Sequence, residues 1–496
     1  MIFFNFGRSQ TSFMLRAALV FPVLCFAWSV VRAQNQPLYT YQQLSNTYYV
    51  TQKDSLKKAW VCPDISTNRD VEKKFKELCT DRTNFLVSAF ENQHFIYEPE
   101  LNRYLQGIID QLIAANPGYF SARPLLLIDR SPVANAYALG NNVLVINLGL
   151  ICFCRTREEL ALSIAHELSH NILNHPENAM KETAEWLTSD EYKNSLKAVL
   201  DSKYERYSRL KKVFQVYSFS RSKHQRYHES DADSLAVVLL KKTHIAFKAD
   251  YFLRLDSADG QYRQPLQRPL NAYFKDYNLA MDESWTQTRA RGLSTAQYNF
   301  ADTSGIEDSL KTHPDCIERY HKTLALTDRD AVTTPIPASI SGKATKMVIW
   351  DLFDEMSLTA CLYSIWQEKD RGHTDGWYDF MVYSIFAGLY LEDQELHRFS
   401  AIGIKPKEYI SKDYYHLQTL LEQLPAENLR QYCIVLQQAT FWEQRPDDEK
   451  DMEKFLSALS AAHENPEKTR SNLAMAFIND HGTSMYCEFV DRFKKK

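Results

Sequence analysis

Apolar residues recur at helical spacing along most of this chain, and in one region the period changes. From Asp81, the positions Phe85, Leu86, Ala89 and Phe90 predict a helix. A second helix follows with Leu101, Tyr104, Leu105, Ile108, Ile109, Leu112 and Ile113 on one face, and Pro117-Gly118 stops it. Pro124 to Asp129 is then a short apolar run, a buried strand. Val143 to Ile146 is another, β-branched at three of its four positions, and Gly140-Asn141-Asn142 is turn chemistry before it. A small sheet therefore precedes the next helix. That helix has Leu160, Ile164, Leu168 and Ile172 as a buried stripe. Thr156-Arg157-Glu158-Glu159 fits a capping box with Thr156 as N-cap, and Pro176 marks the expected end. Met180 to about Val213 reads as a long, highly charged helical region. Residues 256–305 show little periodicity, and read either as a lid over a cleft or as an insertion. Residues 331–344, with Pro335, Pro337, Ser339 and Gly342, read as a linker. Beyond it, stripes such as Leu358, Cys361, Leu362 and Ile365, then Leu417, Leu420, Leu421 and Leu424, predict helices to the end. No fixed-period repeat is present there, so a plain helical bundle is expected. The fold class is α+β, mostly helical, with a small β-sheet and an all-α C-terminal domain.

Composition frames this picture. The 496 residues, 45% hydrophobic and 24% charged, are enough for two or three globular domains. The net charge of −4 gives no footprint for nucleic acid or for an acidic membrane surface. At the N-terminus, Arg8 and Arg16 precede an apolar run from Ala17 to Val31, and Val31-Arg32-Ala33 resembles a cleavage site. Residues 1–33 therefore read as a signal peptide, and 34–80 as a polar, Tyr-rich arm. The run is shorter than the ~20 residues of a membrane-spanning helix, and the competing reading is an uncleaved anchor. No later stretch reaches spanning length, so the mature chain is expected to be exported, periplasmic or secreted, with no transmembrane span. Eight cysteines follow the cleavage point, an even number, and Cys62 with Cys79 is the first pair to check for a disulfide.

The chemistry concentrates in His166-Glu167-Leu168-Ser169-His170. Residues i and i+4 of a helix share a face, so His166 and His170 can present two imidazoles to one metal ion. Glu167 stands beside the first of them, where its carboxylate can take a proton from the attacking water. Two histidines and a glutamate in so apolar a helix are costly to bury without a partner, and a metal supplies one.

Three stretches together resemble metallopeptidase family 48, a family of zinc endopeptidases. They are Ser131-Pro132-Val133-Ala134-Asn135-Ala136-Tyr137-Ala138, then Val143 to Ile151, then the His166–His170 helix. A fourth, Arg226-Tyr227-His228-Glu229-Ser230-Asp231-Ala232-Asp233, resembles the family's second motif, with Asp231 where the family has Glu. The resemblance makes Glu229 the third metal ligand and Asp233 its support; read on its own, the stretch is equally an acidic first turn of a helix. Asn135, Ala136 and Tyr137 become the strand that pairs with an extended peptide substrate. Thr312-His313-Pro314 with Arg319 resembles a further family element. There His313 either stabilises an oxyanion or blocks the metal, or is structural, and Arg319 binds a backbone carbonyl or a carboxylate. The resemblance covers roughly Asp81 to His321.

These observations predict a zincin-like metallopeptidase domain over 81–330, a linker over 331–344, and a helical domain over 345–496. One Zn2+ per chain is expected on His166, His170 and Glu229, with Glu167 as catalytic base. Protein or peptide substrates are the expected partners, in envelope protein quality control, with no nucleic acid. The C-terminal helices are a candidate surface for a protein partner. The alternative from another class is an autoinhibited or inactive peptidase-like scaffold that binds proteins through those helices.

Overall fold

The computed structural model describes residues 38–39, 53, 62–287, 316–461 and 465–494. Helix α1 spans Arg69–Glu91 and so begins twelve residues before the expected Asp81. Asn68 starts it there, because its side chain accepts from the backbone N–H groups of Asp70 and Val71. The apolar stripe extends back through Phe75 and Cys79. Cys62 and Cys79 are both free thiols in one apolar cluster, and burial, with the Cys62 thiol beside it, pushes Cys79 up to about 12. Helix α2, Pro99–Ala115, has Pro99 at its first turn and buries Leu101, Leu105, Ile108, Ile109 and Leu112.

The sheet has four strands in the order β1-β2-β4-β3: β1 Phe95–Ile96, β2 Leu125–Asp129, β3 Ala136–Gly140 and β4 Val143–Asn147. β4 is buried along its whole length, parallel to β2 and antiparallel to β3. The β3–β4 turn has three consecutive residues at positive φ: Gly140 at 82°, Asn141 at 45° and Asn142 at 60°. Gly and Asn are the residues that tolerate that conformation. β3 lies at one edge of the sheet and β1 at the other. Past β4, Gly149 lies against the backbone of Pro132, where a Cβ would approach Pro132 O to 2.1 Å. Only glycine lets the chain turn there into α3, Leu148–Phe153.

Helix α4, Arg157–Ile172, begins as expected, with Thr156 accepting from Glu159 N. The box is altered: Glu159 accepts from Arg155 N at 2.7 Å and pairs with Arg254. The helix ends at Ile172, before Pro176, and the chain turns at Asn174, whose φ is 54°. Pro176 instead sits in the first turn of α5, His175–Thr188. α6 (Asp190–Asp201) and α7 (Arg206–Lys242) then form a long hairpin. Short helices α8 (Asp250–Leu255), α9 (Leu270–Asp276) and α10 (Cys316–Thr323) follow among the described residues. The described part of the region expected as a lid or insertion, 256–287, docks on the C-terminal helices: Tyr273 stacks on Trp366 and the Tyr277 hydroxyl donates to Asp379 at 2.7 Å. Residues 288–305 lie outside the described residues.

The C-terminal half is all helical: α11 Ala338–Asp354, α12 Leu358–Asp370, α13 Gly376–Gln394, α14 Arg398–Ile402, α15 Lys412–Gln423, α16 Ala426–Gln437, α17 Asp447–Leu459, α18 Pro466–His481 and α19 Cys487–Asp491. The expected linker, 331–344, is not a free connection. Arg157 N donates to Thr334 O, Thr334 N to Glu158, and Ile336 N to Arg155 O. From Ala338 the chain is already α11, with Pro337 at its N-cap. Proline in that stretch sets up a helix start, a role compositional reading does not distinguish from a hinge. α11 packs on α3, and one apolar cluster runs from Tyr39 through Val490. Arg130, just after β2, binds Asp351 at 2.8 Å and Glu488 at 3.0 Å, tying the sheet to both α11 and α19.

Candidate metal centre

Helix α4 supplies His166, Glu167 and His170. The two imidazoles lie one turn apart, with Nε2 atoms 3.1 Å from each other. α7 packs along α4 and brings Glu229 against both. One Glu229 oxygen is 3.2 Å from His166 Nε2, and the other is 3.4 Å from His170 Nε2. Donors held ~2.1 Å from a tetrahedral zinc stand roughly 3.4 Å apart, so these residues fit such an ion. Among the described residues, no other group of three His, Cys, Asp or Glu side chains converges in this way. Glu229 lies twenty-three residues inside α7, which begins at Arg206. It is therefore no first-turn residue, and the helix-dipole account of this acidic stretch does not apply.

Glu167 is buried beside this cluster. Among the described residues its carboxylate forms no hydrogen bond and no ion pair.

Each histidine is held from behind. His166 Nδ1 lies 2.9 Å from Asp233 Oδ1. Asp233 stands one turn after Glu229 on the same face of α7, whereas Asp231 is exposed. Arg319 of α10 grips Asp233 with both arms of its guanidinium, Nε to Oδ2 at 2.8 Å and Nη2 to Oδ1 at 2.6 Å. The guanidinium also lies over the Phe252 ring. Arg319 is thus on the Nδ1 side of His166 and bound to a carboxylate, one of the two partners the sequence suggested. Burial opposes ionisation of Asp233, but Arg319 and His166 outweigh it and hold the carboxyl down at about 2. Burial and Arg319 likewise oppose protonation of His166, yet Asp233 and Glu229 prevail and push it up to about 10. Asp233 and Glu229 therefore favour a positive charge on His166.

His170 is supported by a residue that sequence reading missed. His175 Nδ1 lies 2.9 Å from His170 Nδ1, and its ring stacks on His228 with centroids 4.2 Å apart. Burial, with the imidazoles of His170 and His228 nearby, holds His175 down at about 3. It is neutral at neutral pH and able to accept the His170 Nδ1 proton. Asn174 at positive φ turns the chain so that His175 comes back against the end of α4. The only sequence signal was a histidine five residues after His170 and directly before Pro176.

β3 runs beside the helix that carries this cluster. Asn147 N donates to Asn135 O, and Ala136 is opposite Ile146. Antiparallel alternation then points the N–H and C=O groups of Ala136 and Ala138 outward from the sheet. Asn135 and Tyr137 face the β4 side of this ladder, and the Tyr137 hydroxyl donates to Asp129. The far end of the strand is pinned. Arg82 donates to Leu139 O, Glu177 accepts from Asn141 N, and Asn171, next to His170, accepts from Gly140 N. His313 lies outside the described residues. Among the described residues, no helix is long and apolar enough to cross a membrane.

Comparison with known proteins agrees with this geometry. Residues 99–326 match the model of Peptidase family M48. No curated protein matches the chain.

Proposed function

Residues 99–326 of this chain belong to peptidase family M48, and on that premise we propose that it is a zinc-dependent endopeptidase acting on protein substrates in the exported compartment. Metallopeptidase activity comes with the family; zinc, internal cleavage and location are the reading offered here. The observation that carries it is the convergence of His166, His170 and Glu229, two imidazole nitrogens and a carboxylate at tetrahedral spacing. Export rests on the apolar run Ala17–Val31 behind Arg8 and Arg16, in residues outside the described ones. A role in envelope protein quality control remains part of this reading.

The chain's own residues divide the work. An extended peptide adds to β3, hydrogen-bonding to Ala136 and Ala138, which lays its backbone across the cluster. Edge-strand recognition reads the main chain, so it suits cleavage within a polypeptide of any composition. Bound zinc supplies the Lewis acid that polarises the scissile carbonyl. Glu167 takes a proton from the attacking water as the new C–O bond forms. It returns that proton to the amide nitrogen as the C–N bond breaks. Asp233 and His175 fix the ring orientation of His166 and His170 through their Nδ1 atoms.

The test is a pair of measurements on the wild-type chain and Glu167→Gln. Metal analysis should find one zinc per chain in both, because Glu167 is not among the ligands. Casein cleavage should fall in the variant by at least roughly 10²-fold, the usual scale of a general base. Undiminished cleavage by Glu167→Gln removes the assigned base. A wild-type chain that holds zinc and cleaves nothing favours the autoinhibited scaffold instead.

A further inference from the structure

The whole-chain charge of −4 hides a local excess of the opposite sign. Between residues 193 and 212 there are seven Lys and Arg against Asp201 and Glu205, a net of +5. The fold places this stretch at one projecting tip. α6 runs out to Asp201, residues 202–205 reverse the chain, and α7 returns from Arg206. Lys203, Arg206, Arg209, Lys211 and Lys212 are all exposed, and among the described residues none of them pairs with a carboxylate. Three large side chains stand out among them: Leu200 is 58% exposed, Tyr204 79% and Tyr207 83%. The tip is not a loose loop. Rings of Trp186, Tyr192 and Phe214 meet at its base, with centroids 4.5 to 6.3 Å apart, and bind α5, α6 and α7 together.

One occupant accounts for both halves of this surface. A soluble polyanion satisfies the cations but gains nothing from Leu200. A purely apolar groove takes the leucine and tyrosines but leaves the cations at its rim. The face of an anionic bilayer takes both: phosphates meet the Lys and Arg side chains, while Tyr and Leu enter the boundary between headgroups and acyl chains. We propose that the tip of the α6–α7 hairpin binds the surface of an anionic phospholipid bilayer without crossing it. Arg206 and Glu229 are twenty-three residues apart on one helix, roughly 34 Å at 1.5 Å per residue. Seated on its N-terminal end, α7 holds the metal cluster off the surface, where it meets chains beside the bilayer rather than inside it. This inference stands on exposure and charge, independently of the peptidase reading.

The experiment reads the tip itself, so that binding elsewhere on the chain does not count. The full chain carrying Tyr207→Cys is labelled with an environment-sensitive fluorophore, and the chain without that cysteine, treated identically, is the blank. Both are mixed with vesicles of phosphatidylglycerol or of phosphatidylcholine. Phosphatidylglycerol should raise the 207-specific emission several-fold with a blue shift, and phosphatidylcholine should leave it unchanged. Roughly 0.5 M NaCl should abolish the response, since such salt screens exposed charges within a few ångströms. Lys203→Glu, Arg209→Glu and Lys212→Glu together should remove it. The same three positions changed to Gln should weaken it, which covers the case of a charge-reversed chain that fails to fold. A silent probe on phosphatidylglycerol overturns the proposal, as does an equal response to phosphatidylcholine. So does a response to a single-stranded oligonucleotide in place of vesicles, or one retained by the folded Gln variant.

Discussion

His166 and His170 leave α4 one turn apart and offer equivalent nitrogens to the same point, yet they are braced by different chemistry. Behind His166 stands an ionised chain, Asp233 clamped by both arms of Arg319, all of it buried. Behind His170 stands a neutral imidazole, His175, stacked on another. A hydrogen bond to a charged acceptor is about twice as strong as one between neutral groups. A carboxylate behind a histidine also raises its basicity as a ligand, whereas a neutral ring mainly orients it. The centre therefore has a strong, rigid side and a weaker, orienting side, and Glu229 spans both with one oxygen each. What this teaches is that equal spacing along one helix does not give two histidines equal surroundings.

The largest effect is expected at the residue common to both sides. Glu229→Ala should abolish stoichiometric zinc after dialysis, and full retention of the metal would show that another group is the third ligand. Next is Asp233→Asn, which keeps the shape and removes the charge behind His166. Zinc affinity should fall toward roughly 100-fold, the upper end for such a partner. It also leaves Arg319 buried without its counter-ion, which costs on the order of 3–5 kcal/mol of stability. A drop in Tm should therefore accompany the loss of zinc, and Tm unchanged in the metal-free protein would break the account of the Arg319 clamp.

His175→Ala should act more gently, lowering zinc affinity roughly 10-fold, since only an orienting neutral contact is lost. An effect equal to that of Asp233→Asn would erase the distinction between the two sides. The double variant should show the two losses multiplied, because the supports touch different rings; coupling above about 0.5 kcal/mol would mean that they communicate. The smallest effect is expected at Asp231, which is exposed on the same helix. Asp231→Ala should leave zinc content and cleavage within experimental scatter, and damage comparable to Glu229→Ala would overturn the placement of all three carboxylates.

The parts of this protein that sequence alone determined are those fixed by a local period. A helix puts residue i and residue i+4 on one face wherever it folds, so His166 with His170, and Glu229 with Asp233, were legible from spacing. The same holds for Thr156 as a cap, for the apolar runs that became β2 and β4, and for the helices of the C-terminal half. Pairings between distant segments were decided only by tertiary structure. Arg319 meets Asp233 across eighty-six residues, a distance at which spacing carries no geometric information. His175 reaches His170 only because Asn174 adopts a left-handed conformation, which nothing adjacent to it announces. Residues 331–344 had the composition of a linker, and packing of α11 on α3 made them part of a continuous core. The cationic tip was likewise invisible in a net charge of −4, because a sum over the chain discards position. Local geometry follows from the covalent chain, whereas which faces meet, and which stay in water, depends on how the apolar surfaces of all the helices are buried together.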